Sequence, residues 1–135
     1  MKVLTALMDV DVSIFAEEQV IMAVKSNLYD HATSVREAAV DMVGRAMALS
    51  EKHTASYLEL ILERVLDTGK SVRKRCVRIL HELLCSQPTH PLATSILIKL
   101  AGRADDEDSI REVVSTVNLA TSFGPGRFPC TGSWN

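Results

Sequence analysis

Aromatic side chains are scarce here: one Trp, two Tyr and three Phe in 135 residues. None is interleaved with the basic residues, so a base-stacking surface is not suggested. Gly and Pro are also few, six and four, and both are enriched in the last fifteen residues. There is no Gly-rich phosphate loop, no nucleophile elbow and no triad, and the chain is read as non-enzymatic. Cys76, Cys85 and Cys130 show no CxxC or Cys/His metal spacing. His31, His53, His81 and His90 are scattered, without ligand spacing to a Cys or carboxylate. No metal or other cofactor is expected. Cys76 and Cys85 fall on an expected helix and read as buried free thiols, which suits a reducing compartment. No apolar run approaches the ~20 residues of a membrane helix, and the first ten residues lack a signal-peptide cleavage pattern. The chain reads as soluble and intracellular, with no membrane partner. A formal net charge of −2 excludes a chain that is basic throughout, so any nucleic-acid contact must come from a local patch.

What the sequence does have is a period. Ser34-Val35-Arg36, Ser71-Val72-Arg73 and Ser109-Ile110-Arg111 stand 37 and then 38 residues apart. Asp30, Asp67 and Asp105 each lie five residues before the apolar member of their copy. Each copy opens an apolar-periodic segment. A fixed period of this length marks stacked helical pairs. With 47% hydrophobic residues, the chain has enough apolar side chains for a core.

The spacing predicts an all-α solenoid of about three antiparallel helix pairs. Val3, Leu4, Leu7 and Met8 suit the end of a preceding helix, and Asp11 to Ser13 a turn with cap candidates. A helix is predicted over 14–27, with Ile14, Phe15, Val20, Ile21 and Val24 inward. Ser34 is the expected cap of the next helix, with Glu37 completing a capping box. Val35, Ala38, Ala39, Met42 and Val43 form its apolar stripe. The second pair is expected over 53–66 and from Ser71 onward, with Gly69 in the left-handed turn between them. Val72, Cys76, Ile79, Leu80, Leu83 and Leu84 are its inward stripe. The third pair is expected over 92–100 and 110–117, with acidic residues 105–108 before its second helix. The helical array is assigned to residues 1–120, and 121–135 to an irregular tail without helical period.

Asp30/Arg36, Asp67/Arg73 and Asp105/Arg111 are each six residues apart across a tight turn. In stacked pairs they would form a structural ladder, each Arg bonding carboxylates of its own or a neighbouring repeat. A separate feature is the run Lys70, Arg73, Lys74, Arg75 and Arg78, with no acidic residue between Thr68 and His81. The helical wheel puts Lys74, Arg78 and His81 opposite the apolar stripe, with Lys70 at its start and Arg75 on its flank. Such a stripe can hold phosphates. The plainer reading is a solvated face.

The Asp…Val-Arg register resembles HEAT repeats. The segment from Asp30 to Arg45, with its Ser-Val-Arg-Glu-Ala-Ala string, goes further. So does Leu62 to Arg75, with Asp-Thr-Gly-Lys-Ser-Val-Arg-Lys-Arg. Both resemble the Nipped-B / sister-chromatid-cohesion (cohesin loader) family. The likeness covers about residues 1–117. It implies a nuclear, chromatin-associated, non-enzymatic HEAT protein that supports cohesin loading and sister chromatid cohesion. It implies cohesin subunits, a smaller loader subunit and DNA as partners of the full-length protein. Family members are many times longer, so this chain is expected to be a piece of one. Phosphate-backbone contact is carried over to Lys74, Arg75 and Arg78, and more weakly to Lys70. Arg73 is left to the ladder. The reading from a different class is a HEAT adaptor that binds only protein.

Overall fold

The computed structural model describes residues 6, 11–87, 89–102 and 111. Among residues 11–102 a 3₁₀ turn over Val12–Ala16 leads into five helices: α1 Glu18–Leu28, α2 Thr33–Leu49, α3 Glu51–Arg64, α4 Lys70–Ser86 and α5 Ala93–Ala101. No strand occurs among the described residues. The architecture is an all-α HEAT solenoid segment. α1 packs on α2 and α3, α2 on α3, and the 3₁₀ turn rests on all three. Connections are short: residues 29–32 join α1 to α2, Ser50 alone joins α2 to α3, and residues 65–69 join α3 to α4. Short links force successive helices to run back along one another.

The chain divides into two compact units, Met1–Cys76 and Val77–Asn135. The first has a core of Phe15, Val24, Leu28, Val40, Val43, Ala46, Tyr57, Leu58, Ile61, Val65 and Val72. Among the described residues its buried side-chain polar atoms are bonded except Arg64 Nε, which has no partner. Tyr57 donates its hydroxyl to the Phe15 carbonyl at 2.9 Å. Thr54 donates to the Met47 carbonyl, and the His53 ring lies 3.3 Å from the Ala46 carbonyl. The Met47 carbonyl is one that the end of α2 leaves without a helical partner, whereas the Ala46 carbonyl also accepts the Ser50 N–H at 3.2 Å. The second unit buries Val77, Leu80, Leu83, Leu84, Ile96 and Leu100.

Several local expectations are corrected. The helix expected over 14–27 is broken at Glu17, which is extended, with ψ 131°. Its N–H closes the 3₁₀ turn on the Ile14 carbonyl at 3.0 Å. Val20 and Ile21 are consequently only half-buried, and Val24 and Leu28 are the buried pair of α1. α2 begins two residues earlier than expected, with Ala32 in the cap position and no side-chain cap. Ser34 lies inside the helix and does not cap it; the Asp30 carboxylate takes the Ala32 N–H at 2.8 Å, two residues upstream. Ala38 is exposed, and Val40, Ala46 and Met47 join the buried face. Gly69 is not in the left-handed region; it is small because space is short, as described below. His81, expected on the exposed stripe, is 4% exposed. The buried sector of α4 includes Val77 and Leu84, and His81 lies between them at helical spacing. Ile79, counted as inward, is half-buried at the edge.

Of the cysteines, Cys76 is a free, fully buried thiol. Cys85 is half-buried and disulfide-bonded, which corrects the buried free thiol expected there. Residues 1–5, Asp105 to Ser109, the helix expected over 110–117 apart from Arg111, and the tail 121–135 lie outside the described residues. Arg111 itself is helical and exposed.

Candidate functional site

Two clusters gather the residues singled out by the period, both in the first unit. The first lies where the α1–α2 loop meets the α3–α4 loop. Both loops start with the same turn: Asp30 accepts the Ala32 N–H at 2.8 Å, and Asp67 accepts the Gly69 N–H at 2.7 Å. Arg36 reaches across from α2 to the Asp67 carboxylate, with Nε 3.0 Å from Oδ2 and Nη2 2.9 Å from Oδ1. The fork geometry is bidentate, which adds strength and direction. The remaining Arg36 donor, Nη1, bonds the carbonyls of Asp30 and His31 at 2.9 and 3.0 Å. Arg36 therefore closes its own loop and grips the next. Its partner is the Asp of the following repeat, while Asp30, its own Asp, contributes only a carbonyl. Arg73 repeats half of the pattern, donating to the carbonyls of Asp67 and Thr68 at 2.9 and 3.2 Å.

Arg36 and Asp67 are 7% and 6% exposed. Such a pair is stable only when every lone pair and proton has a partner. Arg64 helps, donating to Asp67 Oδ2 at 3.1 Å and to the Leu28 carbonyl at 3.3 Å. Its guanidinium carbon also sits 4.5 Å above the Tyr29 ring centre, a cation–π contact. Burial pushes the Asp67 carboxyl up, but Arg36, the Gly69 N–H and Arg64 outweigh it and hold the group below the ordinary carboxylate value.

The second cluster joins α2 to α4. Glu37 Oε1 accepts Arg75 Nε at 2.9 Å, and Glu37 Oε2 accepts the Ser71 hydroxyl at 3.0 Å. The second arm of Arg75 bonds Asp41. Burial opposes the ionisation of Glu37, yet Ser71 and Arg75 prevail and lower its pKa. Burial likewise opposes the charge on Arg75, and Asp41 and Glu37 outweigh it. Arg75, one of four cations assigned to phosphate, is thus held between two carboxylates. Lys74 and Arg78, one helical turn apart on α4, are half-buried and make no ion pair among the described residues. Lys70 is exposed at the start of α4.

Sequence reasoning missed Arg64 and Asp41, and gave Glu37 only a local capping role. Arg64 was visible as a cation three residues before Asp67. Glu37 and Asp41 stand 37 residues before Lys74 and Arg78, the interval between the first two Ser-Val-Arg copies. Opposite charges near equivalent places in successive repeats are a signal of bridging between them, and here the bridge falls on Arg75, next to Lys74.

Among the described residues no group of three His, Cys, Asp or Glu could hold a metal ion. No helix among them is long and apolar enough to cross a membrane.

The family described as "HEAT repeat associated with sister chromatid cohesion" matches residues 2–43. The chain is 40% identical over 125 residues to the human Nipped-B-like protein, covering 93% of this chain and 4% of that protein. It is 34% identical over the same length to the Nipped-B-like protein scc-2 of Caenorhabditis elegans and to the Nipped-B protein of Drosophila melanogaster, covering 93% of this chain and 6% of each. It therefore spans only a small part of the curated relatives it matches. With its helix pairs, their shared loop turn and this likeness along nearly its whole length, the chain belongs to the Nipped-B-like, sister-chromatid-cohesion family and corresponds to a stretch of HEAT repeats.

Proposed function

We propose that this chain is a non-enzymatic scaffold segment of a cohesin-loading factor, acting on chromatin in the nucleus. The observation that carries the reading is the continuous likeness to Nipped-B-like proteins over 93% of the chain. The geometry fits a scaffold: Arg36, Asp67 and Arg64 lock one helix pair to the next through buried bonds. A locked array presents its surface residues at fixed spacing. Cohesin subunits and a smaller loader subunit are the protein partners in this reading.

The same reading gives α4 a sequence-independent contact with the DNA backbone. Lys74 and Arg78 carry it, with Lys70 at the rim. Arg75 was assigned to the same contact, but a phosphate would have to compete with Glu37 and Asp41 for it. That neutralisation is also what favours the second reading, a HEAT adaptor that binds only protein.

The test is fluorescence anisotropy of a labelled DNA duplex titrated with the whole chain at two salt concentrations. A Lys74→Gln/Arg78→Gln variant runs beside it, with circular dichroism to show that both are folded. Binding that weakens with salt and is lost in the variant supports the DNA contact. A folded chain that binds no duplex even at low salt rejects it. Retention of purified cohesin subunits on the immobilised chain then decides whether the scaffold reading survives without DNA.

A further inference from the structure

The Ser-Val-Arg string occurs twice within the described residues, and its two serines have different surroundings. Ser71 donates its hydroxyl to Glu37 Oε2 at 3.0 Å. Arg75, four residues on, binds the other oxygen of the same carboxylate. Lys70 precedes Ser71, and Arg73, Lys74 and Arg75 follow it. Ser34 has the same Val-Arg after it, but then Glu37 and Ala38. On a helix, residues three and four apart face one another. A phosphate on Ser71 would face Lys74 and Arg75, whereas a phosphate on Ser34 would face Glu37.

We propose that Ser71 is a phosphorylation site for a kinase that selects basic residues after its serine, and that its phosphate moves Arg75 from Glu37 on α2 to α4 itself, releasing the α2–α4 bridge. The phosphoryl donor is a nucleoside triphosphate. The Ser71 oxygen forms the new bond to the terminal phosphorus, the bond from that phosphorus to the nucleoside diphosphate breaks, and the hydroxyl proton passes to the kinase's base. The modification removes the hydrogen that Ser71 gives to Glu37. It also sets a group of charge near −2 beside that carboxylate. Two anions then compete for one guanidinium, and the phosphate, with more charge and three acceptor oxygens, prevails. Asp41 loses Arg75 in the same event. Access is through the surface loop before Ser71, where Leu66, Thr68 and Lys70 are exposed. Helix ends are also where local opening is least costly.

This inference does not depend on DNA or cohesin binding, because its readouts are the modified residue and the Glu37 carboxylate. The whole chain is incubated with a basophilic serine/threonine kinase and magnesium ATP, and the product is mapped by mass spectrometry. The expected result is phosphate on Ser71, none on Ser34, and none at position 71 in Ser71→Ala. Absence of label at Ser71, or equal label at Ser34, overturns the site. A chain with phosphoserine installed at position 71 is then followed by carboxyl-selective NMR. The Glu37 carboxyl is expected to lose its depressed pKa and the Arg75 side-chain resonances to shift, while circular dichroism stays helical. A Glu37 pKa that remains depressed overturns the switch, and so does loss of helical structure.

Discussion

Thr33 and Gly69 touch so closely that a Cβ on Gly69 would lie 2.7 Å from the Thr33 Cγ2 methyl. The start of α2 and the α3–α4 loop therefore meet at a point where only a hydrogen fits. The contact lies beside the Arg36–Asp67 pair, since the same Gly69 gives its N–H to Asp67. Gly69→Ala should destabilise the chain by about 1–3 kcal/mol, the range for overpacking a filled site. Thr33→Ser removes the obstructing methyl and should recover part of that loss in the double variant. Urea denaturation of the four chains measures the coupling. Equal losses with either residue at position 33 would show that the close approach is not what requires glycine.

Arg36→Ala should be more severe, because it strands a buried carboxylate. Losing one partner of such a pair costs about 3–5 kcal/mol. Arg36→Lys should recover little: one ammonium cannot replace a fork that bonds Asp67 and two loop carbonyls together. If Arg36→Lys unfolds at the same denaturant concentration as the native chain, the bidentate geometry has no energetic weight.

How much of this was legible beforehand follows from what periodicity can report. The 37-residue recurrence of Asp and Ser-Val-Arg located the loops, because turn residues and apolar spacing are local signals. The partner of Arg36 was left open between its own and a neighbouring repeat. The structure places it on Asp67, since a six-residue separation across the loop puts the Asp30 carbonyl, not its carboxylate, within reach. The cap assigned to Ser34 failed because α2 starts at Thr33, which puts Ser34 inside the helix. Glu37 was read as completing a local capping box and instead bonds Ser71 and Arg75, 34 and 38 residues away. His81 was placed in solvent by a wheel that put Val72, Cys76, Ile79 and Leu83 at the centre of the buried face, whereas Val77, left out of the stripe, widens it. For Arg36 and Glu37 a tertiary partner displaced a local one, and no single-helix pattern carries that information.

Acid should loosen the chain through Asp67 and Glu37. Both have folded pKa values below their ordinary values of 3.8 and 4.5. A depressed folded value means that the unfolded chain takes up protons first as the pH falls. The stabilisation is therefore complete above the ordinary values and is lost as pH falls through the folded ones. Urea midpoints should change little from neutral pH to about pH 5 and fall below about pH 4. Asp67→Asn should start less stable and show a shallower acid loss. An unchanged slope in that variant would assign the acid sensitivity elsewhere.

Tyr57 should titrate late. Its hydroxyl is buried against the Phe15 carbonyl, and burial pushes its pKa up to about 12. Ultraviolet difference spectra of Tyr29→Phe, which leaves Tyr57 as the sole tyrosine, should show no phenolate in the folded chain near the ordinary value of about 10. Tyr57→Phe should cost about 1–2 kcal/mol, because the Phe15 carbonyl loses its donor. A phenolate appearing near the ordinary value while the chain remains folded would mean that the hydroxyl is reached by solvent.

On α4 the bridge to α2 and the proposed DNA contact can be told apart. Arg75 shares its charge with Glu37 and Asp41, and its side chain is 35% exposed. Bridges at that exposure contribute about 0–1 kcal/mol. Arg75→Gln should therefore lower stability slightly and leave DNA affinity nearly unchanged. Lys74→Gln and Arg78→Gln should do the reverse. The salt dependence counts the cations involved. Each phosphate neutralised adds about −0.9 to the slope of log affinity against log salt, so Lys74 and Arg78 alone give about −1.8, and all four assigned cations about −3.6. A native slope near the smaller figure, unchanged in Arg75→Gln, leaves Arg75 as the residue that holds α4 to α2. A slope near the larger one, reduced by about a quarter in that variant, would mean that DNA draws Arg75 away from its carboxylates and that the bridge opens when the backbone binds.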